Sequence, residues 1–338
     1  MNYVELGKTG LMVHPISFGG IPIQRGDAAN TEKIVDKMIE LGVNYIDTAK
    51  AYTVSEEWIG KAIAGRRDKF ILASKTMKRD YEGMMHDIDD SLAKLGTDYI
   101  DLYQVHNCPV SDFDKVFAED GCYKALLDAK AAGKIGHIGI TAHHVEDLQL
   151  VLDKYPDKFE TVMYPFNIVE DQGIEVLKAC KAAGLGTIAM KPFAGGNLDD
   201  ADLALRYIML AGFIDITIPG AATPEELEQN AKVMDHLVPF SEEELAKLDA
   251  IRKDLGTQFC RRCGYCMPCT VGIKIPLAFL YRNYVYKYNL PEWAQSRYDA
   301  TIGVPAKECI ECGACEERCP YHLPIREMMK DTSAIFDK

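Results

Sequence analysis

Residues 82–106 read EGMMHDIDDSLAKLGTDYIDLYQVH, and this stretch decides the fold. The amphipathic run from Glu82 to Leu95 predicts a helix, and Gly96 is the usual residue just past a helix end. The apolar run from Tyr99 to Val105 then predicts a strand, and a polar residue, His106, follows it. The stretch therefore predicts one helix–strand unit that ends in a side chain able to do chemistry.

The same alternation recurs over about two hundred residues, which predicts parallel strands joined by crossover helices. Eight such strands indicate an α/β fold of the (β/α)8 TIM-barrel type. A doubly wound open sheet is the alternative, but the run Phe18 to Pro22 lacks the G-x-G-x-x-G spacing that such a sheet carries after its first strand. The predicted strands are Pro15 to Gly19, Val43 to Ile46, Phe70 to Ala73, Tyr99 to Val105, Ile135 to Ile140, Thr161 to Tyr164, Gly186 to Met190 and Ile214 to Ile218. Further helices are predicted from Thr31 to Leu41 and from Ile174 to Ala183, closed by Gly42 and Gly184.

Polar residues stand where three of these strands end. Asp47, Lys75 and His106 each follow an apolar run, and Tyr52 lies in the loop that leaves the same strand as Asp47. In a barrel the C-terminal ends of all strands point to one mouth, so these side chains are expected to converge. An acid, a base, a phenol and an imidazole in one place make a proton-transfer site in outline.

The tail of the chain is dominated by cysteine. Of eleven cysteines, eight form two quartets in the last eighty or so residues. The second quartet has the C-x2-C-x2-C-x3-C-P spacing that holds 4Fe-4S clusters, in which the fourth cysteine usually ligates the neighbouring cluster. We expect two 4Fe-4S clusters in a small, mainly helical ferredoxin-like domain. The quartets are Cys260, Cys263, Cys266 and Cys269, and Cys309, Cys312, Cys315 and Cys319.

Zinc and disulfides are the competing interpretations of the quartets. Structural zinc sites favour two C-x2-4-C pairs separated by a long loop, whereas here a third cysteine follows at once in each set. Disulfides need an oxidising compartment, and the sequence begins MNYVEL, without a basic and apolar leader. The chain is therefore expected in the cytoplasm.

Length and charge set further bounds. The chain has 338 residues, a formal net charge of -13 and a pI near 5.1. Such an acidic chain is not expected to bind nucleic acid or an anionic membrane, which select basic surfaces, and no apolar run is long enough to span a bilayer. The uneven distribution of cysteine predicts a barrel over residues 1–255 and a cluster domain over 256–338.

Several stretches of the first domain carry a resemblance to a known family. They are Asp47-Thr48-Ala49-Lys50-Ala51-Tyr52 with Ser55-Glu56 and Gly60, Ala73-Ser74-Lys75-Thr76, Asp101-Leu102-Tyr103-Gln104-Val105-His106, Ile218-Pro219-Gly220-Ala221 and Glu228-Gln229-Asn230. Through these stretches, over roughly residues 1 to 255, the sequence resembles the aldo-keto reductases, which are (β/α)8 enzymes that reduce carbonyls with a nicotinamide. With its cysteine-rich tail, the whole chain resembles the iron–sulfur branch of that family.

The resemblance implies a role for each residue at the barrel mouth. Tyr52 would be the general acid, Lys75 and Asp47 its electrostatic partners, and His106 the group that orients the carbonyl. An ammonium near a phenol stabilises the ionised phenol, which makes it a better acid. By the same logic as in ferredoxins, Cys260, Cys263 and Cys266 would share one cluster with Cys319, and Cys309, Cys312 and Cys315 the other with Cys269.

The residues expected to bind the cofactor depart from the family pattern. Met163 stands where a glutamine is usual, and Met190 replaces the aromatic residue that stacks on the nicotinamide. Glu226 stands where many members place an arginine for the 2'-phosphate of NADPH, and a carboxylate there would repel that phosphate. NAD(H) is therefore expected over NADP(H), with FMN as the alternative hydride carrier. The predicted cofactor-binding residues are Thr141, Asn167, Lys191, Gly195, Gly220 and Asn230.

We expect an oxidoreductase that acts on a carbonyl or alcohol group of a small molecule, with clusters that relay electrons to or from an external carrier. Two alternatives stay open. The clusters could be purely structural, or the chain could be an electron-transfer subunit whose barrel only binds a nucleotide or flavin. An intact set of Asp47, Tyr52, Lys75 and His106 favours an enzyme.

Overall fold

The computed structural model of the chain describes residues 3–256, 259–262 and 264–338. The chain divides into two compact units, of which the first comprises Met1–Phe193 and Asp200–Pro239. The second comprises Ala194–Asp199 and Phe240–Lys338. The division expected from the sequence, a barrel over residues 1–255 and a cluster domain over 256–338, stays a prediction.

The first unit is a parallel barrel preceded by an antiparallel hairpin. The hairpin pairs β1 (Val4–Glu5) with β2 (Met12–Val13). Eight parallel strands then pair in chain order, and bridges from Ile16 to Thr217 and from Gly19 to Gly220 join the last strand to the first. The predicted (β/α)8 barrel is confirmed. Its strands are β3 (Phe18–Gly19), β4 (Tyr45–Asp47), β5 (Ile71–Thr76), β6 (Ile100–Val105), β7 (Ile135–Thr141), β8 (Thr161–Pro165), β9 (Gly186–Met190) and β10 (Ile216–Thr217).

Helices connect the strands and surround the sheet. The predicted helices and their glycine stops are confirmed, because Gly42, Gly96 and Gly184 adopt left-handed φ values of 69°, 64° and 86° at the three helix ends. Glycine takes this conformation at little steric cost. The helices of the first unit are α1 (Ala28–Leu41), α2 (Ser55–Ala62), α3 (Tyr81–Leu95), α4 (Phe113–Val116), α5 (Cys122–Ala131), α6 (Val145–Lys154), α7 (Ile174–Ala183), α8 (Ala201–Met209) and α9 (Pro224–Lys232).

The hairpin closes the barrel at the end where the strands begin. Leu6 and Val13 are fully buried and pack among the side chains that fill the barrel interior, such as Tyr45 and Ile188. The turn at Gly7 approaches β9 so closely that a Cβ atom there would lie 2.2 Å from the backbone nitrogen of Gly186. Apolar side chains close this end of the barrel, so a reactive site is expected at the opposite end, where the strands finish.

The candidate site residues lie at the C-terminal ends of the strands. Parallel strands end at the same edge, and Asp47 is the last residue of β4 while His106 directly follows β6. Lys75 is the next-to-last residue of β5 and faces Gln104 of β6 in the sheet register. The barrel thus brings residues that are far apart in sequence to one mouth.

The second unit is helical and packs around its own apolar core. Within the described residues that core contains Cys266 and Cys319 together with Phe279, Tyr298 and Met329. None of the helices in the described part of the chain has the length and hydrophobicity needed to cross a bilayer. The helices of this unit are α10 (Glu242–Gly256), α11 (Ile275–Tyr286), α12 (Pro291–Thr301), α13 (Ala314–Glu317) and α14 (Ile325–Phe336).

Candidate active site and cysteine-lined cavities

A buried ion pair lies at the centre of the barrel mouth. Lys75 Nζ lies 2.5 Å from Asp47 Oδ2, and each side chain is only 2% exposed. The ammonium also donates to the carbonyl oxygen of Thr48 at 2.9 Å. On its other oxygen, Oδ1, Asp47 accepts from Gln104 Nε2 at 3.4 Å. The lysine is therefore fixed by two oxygens, and its carboxylate partner is fixed from a third strand.

Burial and pairing act on this pair in opposite directions. Burial raises the pKa of Asp47, and the neighbouring Lys75 charge and the hydrogen bonds lower it. Burial likewise lowers the pKa of Lys75, against the attraction of Asp47. Burial is the larger effect for both groups. Either charge left without the other would be costly, because a buried ion without a partner loses its hydration without compensation.

Tyr52 and His106 lie beside this pair. Lys75 Nζ is 4.9 Å from the centroid of the Tyr52 ring, which is within the range of a cation–π contact. The rings of Tyr52 and His106 are 6.2 Å apart between centroids and meet edge to face at 89°. The structure thus brings all four residues predicted to be catalytic into one cluster of contacts.

His106 is held as a neutral imidazole. Burial, followed by the charges of Lys75, Arg79 and Lys191, lowers the pKa of His106 well below its ordinary value. Its Nδ1 atom is buried and has no hydrogen-bond partner within the described residues. The partner of one ring nitrogen normally decides which tautomer a neutral imidazole adopts. The ring can therefore present a donor or an acceptor to a ligand.

The backbone of His106 is held from outside the barrel. Arg79 Nη2 donates to the carbonyl oxygens of His106 at 2.9 Å and of Asn107 at 2.7 Å. Asn107 has a φ of 48°, and its N–H donates to Thr141 Oγ1 at 2.8 Å. The predicted cofactor residue Thr141 therefore lies next to the loop that carries His106, with its hydroxyl oxygen already accepting one hydrogen bond.

A second buried carboxylate supports the loop that carries Tyr52. Glu56 is 2% exposed and accepts from Ser74 Oγ at 2.6 Å, while Lys50 Nζ lies 3.4 Å from its other oxygen. Lys50 also binds Asp90. Sequence reasoning gives Glu56 no role beyond the Ser55-Glu56 match to the family, and that match is the signal that could have pointed to it.

Asn167 and Lys191 form a separate network at the ends of β8 and β9. Asn167 is fully buried, and its Nδ2 donates to Glu170 Oε2 and to the carbonyl oxygen of Lys191, both at 2.9 Å. Its Oδ1 accepts from the N–H groups of Val169 and Glu170. The amide of Asn167 is therefore fully used by the chain itself. Lys191 has a φ of 58°, and its Nζ lies 3.4 Å from His143 Nδ1.

The loop after β10 carries the next predicted residues. A Cβ atom on Gly220 would lie 2.5 Å from Pro22 Cγ, so close packing explains the glycine. Asn230 is buried in α9. Glu226, one turn into α9, accepts from the N–H of Ala222 at 2.6 Å through Oε2. A carboxylate therefore already occupies a backbone donor in the loop before α9.

Gly195 belongs to the second unit. Gly195 and Gly196 adopt left-handed φ values of 69° and 83°. A Cβ on Gly195 would lie 3.5 Å from Tyr288 Oη, and one on Gly196 would lie 3.4 Å from Lys287 Cβ. The two glycines thus form a turn that packs against the end of α11. Their predicted role in binding a cofactor phosphate stays a prediction.

Two cavities in the second unit are lined by cysteines. One, with a volume of about 20 Å³, is lined by Cys269 of the first quartet and by Cys309, Cys312 and Cys315 of the second. The other, of about 10 Å³, is lined by Cys260 and Cys266 of the first quartet and by Cys319 of the second. Cys263 lies outside the described residues, and no disulfide joins any two of the described cysteines. Each cavity therefore draws cysteines from both quartets.

The donor set and its arrangement fit a 4Fe-4S cluster. Such a cluster binds one thiolate at each of its four iron atoms, so its ligands surround a volume, and four thiols line the larger cavity. Among the described residues, which leave out Cys263, no three Cys, His, Asp or Glu side chains are arranged to hold a single metal ion.

The two cysteine loops repeat one backbone pattern. Arg262 and Glu311 have φ values of 57° and 54°, and Gly264 and Gly313 have values of 81° and 79°. In each loop the last cysteine accepts a hydrogen bond at its carbonyl from the residue three positions on, at 3.0 Å in one loop and 3.1 Å in the other. Six residues after that cysteine, α11 and α14 begin. The two loops therefore repeat one local structure, and each is followed by a helix at the same spacing.

Comparisons with known proteins agree with both units. The sequence model of the aldo/keto reductase family matches residues 15–203, and that of a 4Fe-4S dicluster domain matches residues 259–324. L-galactose dehydrogenase of Arabidopsis thaliana is 26% identical over 297 residues, which are 73% of this chain and 92% of that protein. Methylglyoxal reductase DkgA of Yersinia pestis is 28% identical over 235 residues, covering 64% and 82% of the two chains.

A solved structure shows the same fold. The holo form of the aldo-keto reductase AKR11C1 from Bacillus halodurans has a TM-score of 0.63 at 24% identity, over 74% of this chain and 96% of that one. The family model spans more than half of the chain described here. The chain therefore belongs to the aldo/keto reductase family and carries, after its barrel, a domain of the 4Fe-4S dicluster type.

Proposed function

We propose that the chain interconverts a carbonyl and an alcohol group of a small molecule at the barrel mouth, with Tyr52 exchanging a proton with the substrate oxygen. One observation carries the proposal: the Lys75 ammonium, fixed by Asp47 at 2.5 Å, lies over the Tyr52 ring beside the neutral His106. A lysine or a tyrosine alone would be weak evidence for a catalytic site, whereas four such groups in contact are stronger evidence.

The charges explain why Tyr52 would act as the acid in carbonyl reduction. When its proton leaves, negative charge develops on the phenol oxygen, and the nearby ammonium of Lys75 stabilises that charge. Asp47 keeps the lysine in place and compensates its charge in a site with little water. Oxidation of an alcohol would use the same groups in reverse, with Tyr52 taking the proton.

His106 would orient the substrate oxygen without competing for the proton. Its lowered pKa keeps the ring neutral near pH 7, so it offers a hydrogen bond and no charge. Arg79 holds the backbone of His106 through its carbonyl oxygen. This anchoring fixes the position of the ring relative to Tyr52, and precise placement of such groups is a large part of enzymatic rate enhancement.

NAD(H) is the hydride carrier that the residues favour. A bound nicotinamide would supply or accept the hydride at the substrate carbon. The loop before α9, with Gly220 and Asn230 near it, would hold the adenosine end. There Glu226 already occupies the N–H of Ala222, and a carboxylate beside a 2'-phosphate would repel it, whereas a ribose hydroxyl can hydrogen-bond to it.

Of the residues expected at the nicotinamide ring, Asn167 already donates both amide hydrogens to groups of the chain. It would therefore act by holding the backbone of Lys191. The Thr141 oxygen accepts from the N–H of Asn107, so Thr141 would use its hydroxyl proton to donate to the cofactor. Flavin is the alternative carrier, and identification of any nucleotide or flavin released from the protein distinguishes the two.

The second unit would hold two 4Fe-4S clusters. Supporting this, one cavity is lined by three cysteines of the second quartet and the last cysteine of the first. The other is lined by two cysteines of the first quartet and the last cysteine of the second. We assign Cys269, Cys309, Cys312 and Cys315 to one cluster, and Cys260, Cys263, Cys266 and Cys319 to the other. Bound clusters would supply single-electron steps, which an external electron carrier would deliver or remove.

Two relatives carry names that cover both directions of the proposed reaction, since one is a dehydrogenase and the other a reductase. Their names mention a sugar and a small dicarbonyl compound. For this chain the substrate class is accordingly a small molecule with a carbonyl or hydroxyl group. Its particular identity depends on the loops at the mouth.

Replacement of Tyr52 by phenylalanine tests the proposal. NADH oxidation with a panel of small aldehydes and ketones, methylglyoxal included, would be measured on anaerobically purified protein. We expect turnover to fall by about 10²- to 10⁴-fold, the usual contribution of a general acid. If Tyr52→Phe keeps the wild-type turnover, the barrel does not use Tyr52 as its acid.

Tyr45→Phe is the matched control. Tyr45 is a fully buried phenol of the same barrel, and its hydroxyl has no hydrogen-bond partner within the described residues. Its loss should leave turnover unchanged. Iron, acid-labile sulfide and bound nucleotide or flavin, counted in the same preparation, test the cofactor assignments separately from the barrel chemistry.

A further inference from the structure

The two cysteine loops differ at the residue that follows their last cysteine. Thr270 follows Cys269, whereas Pro320 follows Cys319 in the position that the ferredoxin spacing leads one to expect. Proline has no hydrogen-bond donor on either its side chain or its backbone nitrogen. Only one of the two loops therefore places a hydroxyl group at this position.

The hydroxyl of Thr270 points to a cysteine of the other loop. Its Oγ1 lies 3.3 Å from Cys312 Sγ. Both residues line the same cavity, which also contains Cys269, Cys309 and Cys315. Cys269 of the first quartet shares this cavity with three cysteines of the second. The residue directly after Cys269 therefore contacts one of those three cysteines.

The chemistry decides which atom donates. A thiolate that binds iron carries no proton, so the hydroxyl of Thr270 must donate to Cys312 Sγ. Hydrogen bonds to cluster sulfurs raise the reduction potential, because they stabilise the added negative charge of the reduced state. This step rests on the proposed function, since it requires that the larger cavity hold a cluster.

We propose that Thr270 raises the reduction potential of the cluster held by Cys269, Cys309, Cys312 and Cys315 above the value it would otherwise have. The equivalent position of the other loop, Pro320, gives no such donor. Cys312 is exposed to solvent, whereas Cys266 and Cys319 of the other cavity are buried. The hydrogen bond would therefore make the cluster that is nearer to solvent easier to reduce than the same cluster without it.

Redox titration of the full-length protein, followed by electron paramagnetic resonance under anaerobic conditions, tests the proposal. We expect Thr270→Val, which keeps the shape and removes the hydroxyl, to lower one midpoint potential and leave the other unchanged. The expected fall is up to about tenfold in the equilibrium constant of reduction, which is about 59 mV for a one-electron couple. Thr270→Ser keeps a hydroxyl and should retain the wild-type potential.

Thr270→Ala provides a second variant without the hydroxyl, in case the valine interferes with cluster assembly. The proposal is overturned if the hydroxyl-free variants keep both potentials at their wild-type values, or if Thr270→Ser shifts the potential as far as they do. If the protein nevertheless contains the iron and sulfide of two clusters, the proposed function still holds when the role of Thr270 fails. Wild-type protein that contains no iron would overturn both the role of Thr270 and the assignment of the clusters.

Discussion

Lys75 and Asp47 form an ion pair with Nζ 2.5 Å from Oδ2, and neither side chain is more than 2% exposed. Asp47→Asn would leave the lysine without its counter-charge in a buried place. Breaking one partner of a buried pair costs about 3–5 kcal/mol of stability, so we expect a clearly lower urea-unfolding midpoint together with loss of turnover. Circular dichroism measures the first and NADH oxidation the second.

The double variant Asp47→Asn/Lys75→Met is the control for this prediction. It removes both charges, and replacement of a whole buried pair by uncharged groups is often nearly neutral for stability. Its unfolding midpoint should therefore recover toward the wild-type value while turnover stays low. If the double variant is destabilised by the full sum of the single changes, the two side chains are not coupled as the geometry indicates.

The lowered pKa of His106 predicts a particular dependence of stability on pH. In the unfolded chain histidine titrates near about 6.5, whereas burial and nearby cations hold the pKa of His106 well below that value in the fold. As the pH falls below about 6.5, the unfolded chain takes up a proton that the folded chain does not. This contribution is thus present above about pH 6.5 and is lost as the pH falls toward the folded pKa.

His106→Gln removes this contribution. The stability of the wild type relative to the variant should fall by up to about 1.4 kcal/mol for each pH unit below 6.5, as measured by urea unfolding between pH 7 and pH 5. His86→Gln, a change at a side chain that is 78% exposed, is the matched control and should keep the wild-type slope. Parallel curves for the wild type and His106→Gln would argue against a buried neutral imidazole.

The sequence predicted the barrel because its elements obey local rules. Strands such as Ile135–Thr141 are apolar runs, and helices such as Ile174–Ala183 stop at glycines, so both signals lie within a few residues. The four catalytic candidates could be grouped because parallel strands share an edge. The hairpin at Val4–Glu5 and Met12–Val13 was missed, since two-residue strands carry no detectable period.

Other features depend on contacts that no local pattern encodes. Asn167 looked like a cofactor ligand, yet both its donors are used by neighbouring loops. For Thr270 the sequence shows only that it takes the place of a proline after the fourth cysteine, whereas the fold places its hydroxyl 3.3 Å from Cys312 Sγ, 42 positions away. Such long-range pairs follow from the fold and cannot be read from spacing along the chain.

Glu226 should control the choice between NADH and NADPH. Its carboxylate accepts from the N–H of Ala222 at 2.6 Å, near the place expected for the adenosine ribose. We expect the wild type to prefer NADH by about tenfold or more in kcat/KM, or roughly 1.4 kcal/mol, and Glu226→Gln to lose most of that preference because the repulsive charge is gone. Glu225→Gln, an exposed neighbour in the same turn, should leave the ratio unchanged. A wild type that prefers NADPH would refute this role.

Asn167 is expected to act through the loops that it joins. Asn167→Asp replaces two donors by a carboxylate that faces Glu170 and the carbonyl oxygen of Lys191. Lost hydrogen bonds and like-charge repulsion should together cost about 2 kcal/mol or more, seen as a lower unfolding midpoint. Adding Glu170→Gln restores a donor opposite the new carboxylate and should recover part of the loss. If Asn167→Asp keeps the unfolding midpoint of the wild type, the network does not stabilise these loops.

The crossed arrangement of cysteines predicts which variants act on the same cluster. Cys269 lies in the first quartet but lines the cavity of Cys309 and Cys315, whereas Cys319 lines the cavity of Cys260. In anaerobic preparations, Cys269→Ser should alter the same electron paramagnetic resonance signal as Cys309→Ser. Cys260→Ser and Cys319→Ser should alter the other. Cys180→Ser, a fully buried thiol of the barrel, is the control that should change neither signal. If Cys269→Ser instead alters the same signal as Cys260→Ser, each quartet ligates its own cluster. The contact of Thr270 with Cys312 would then connect the loops of two separate clusters.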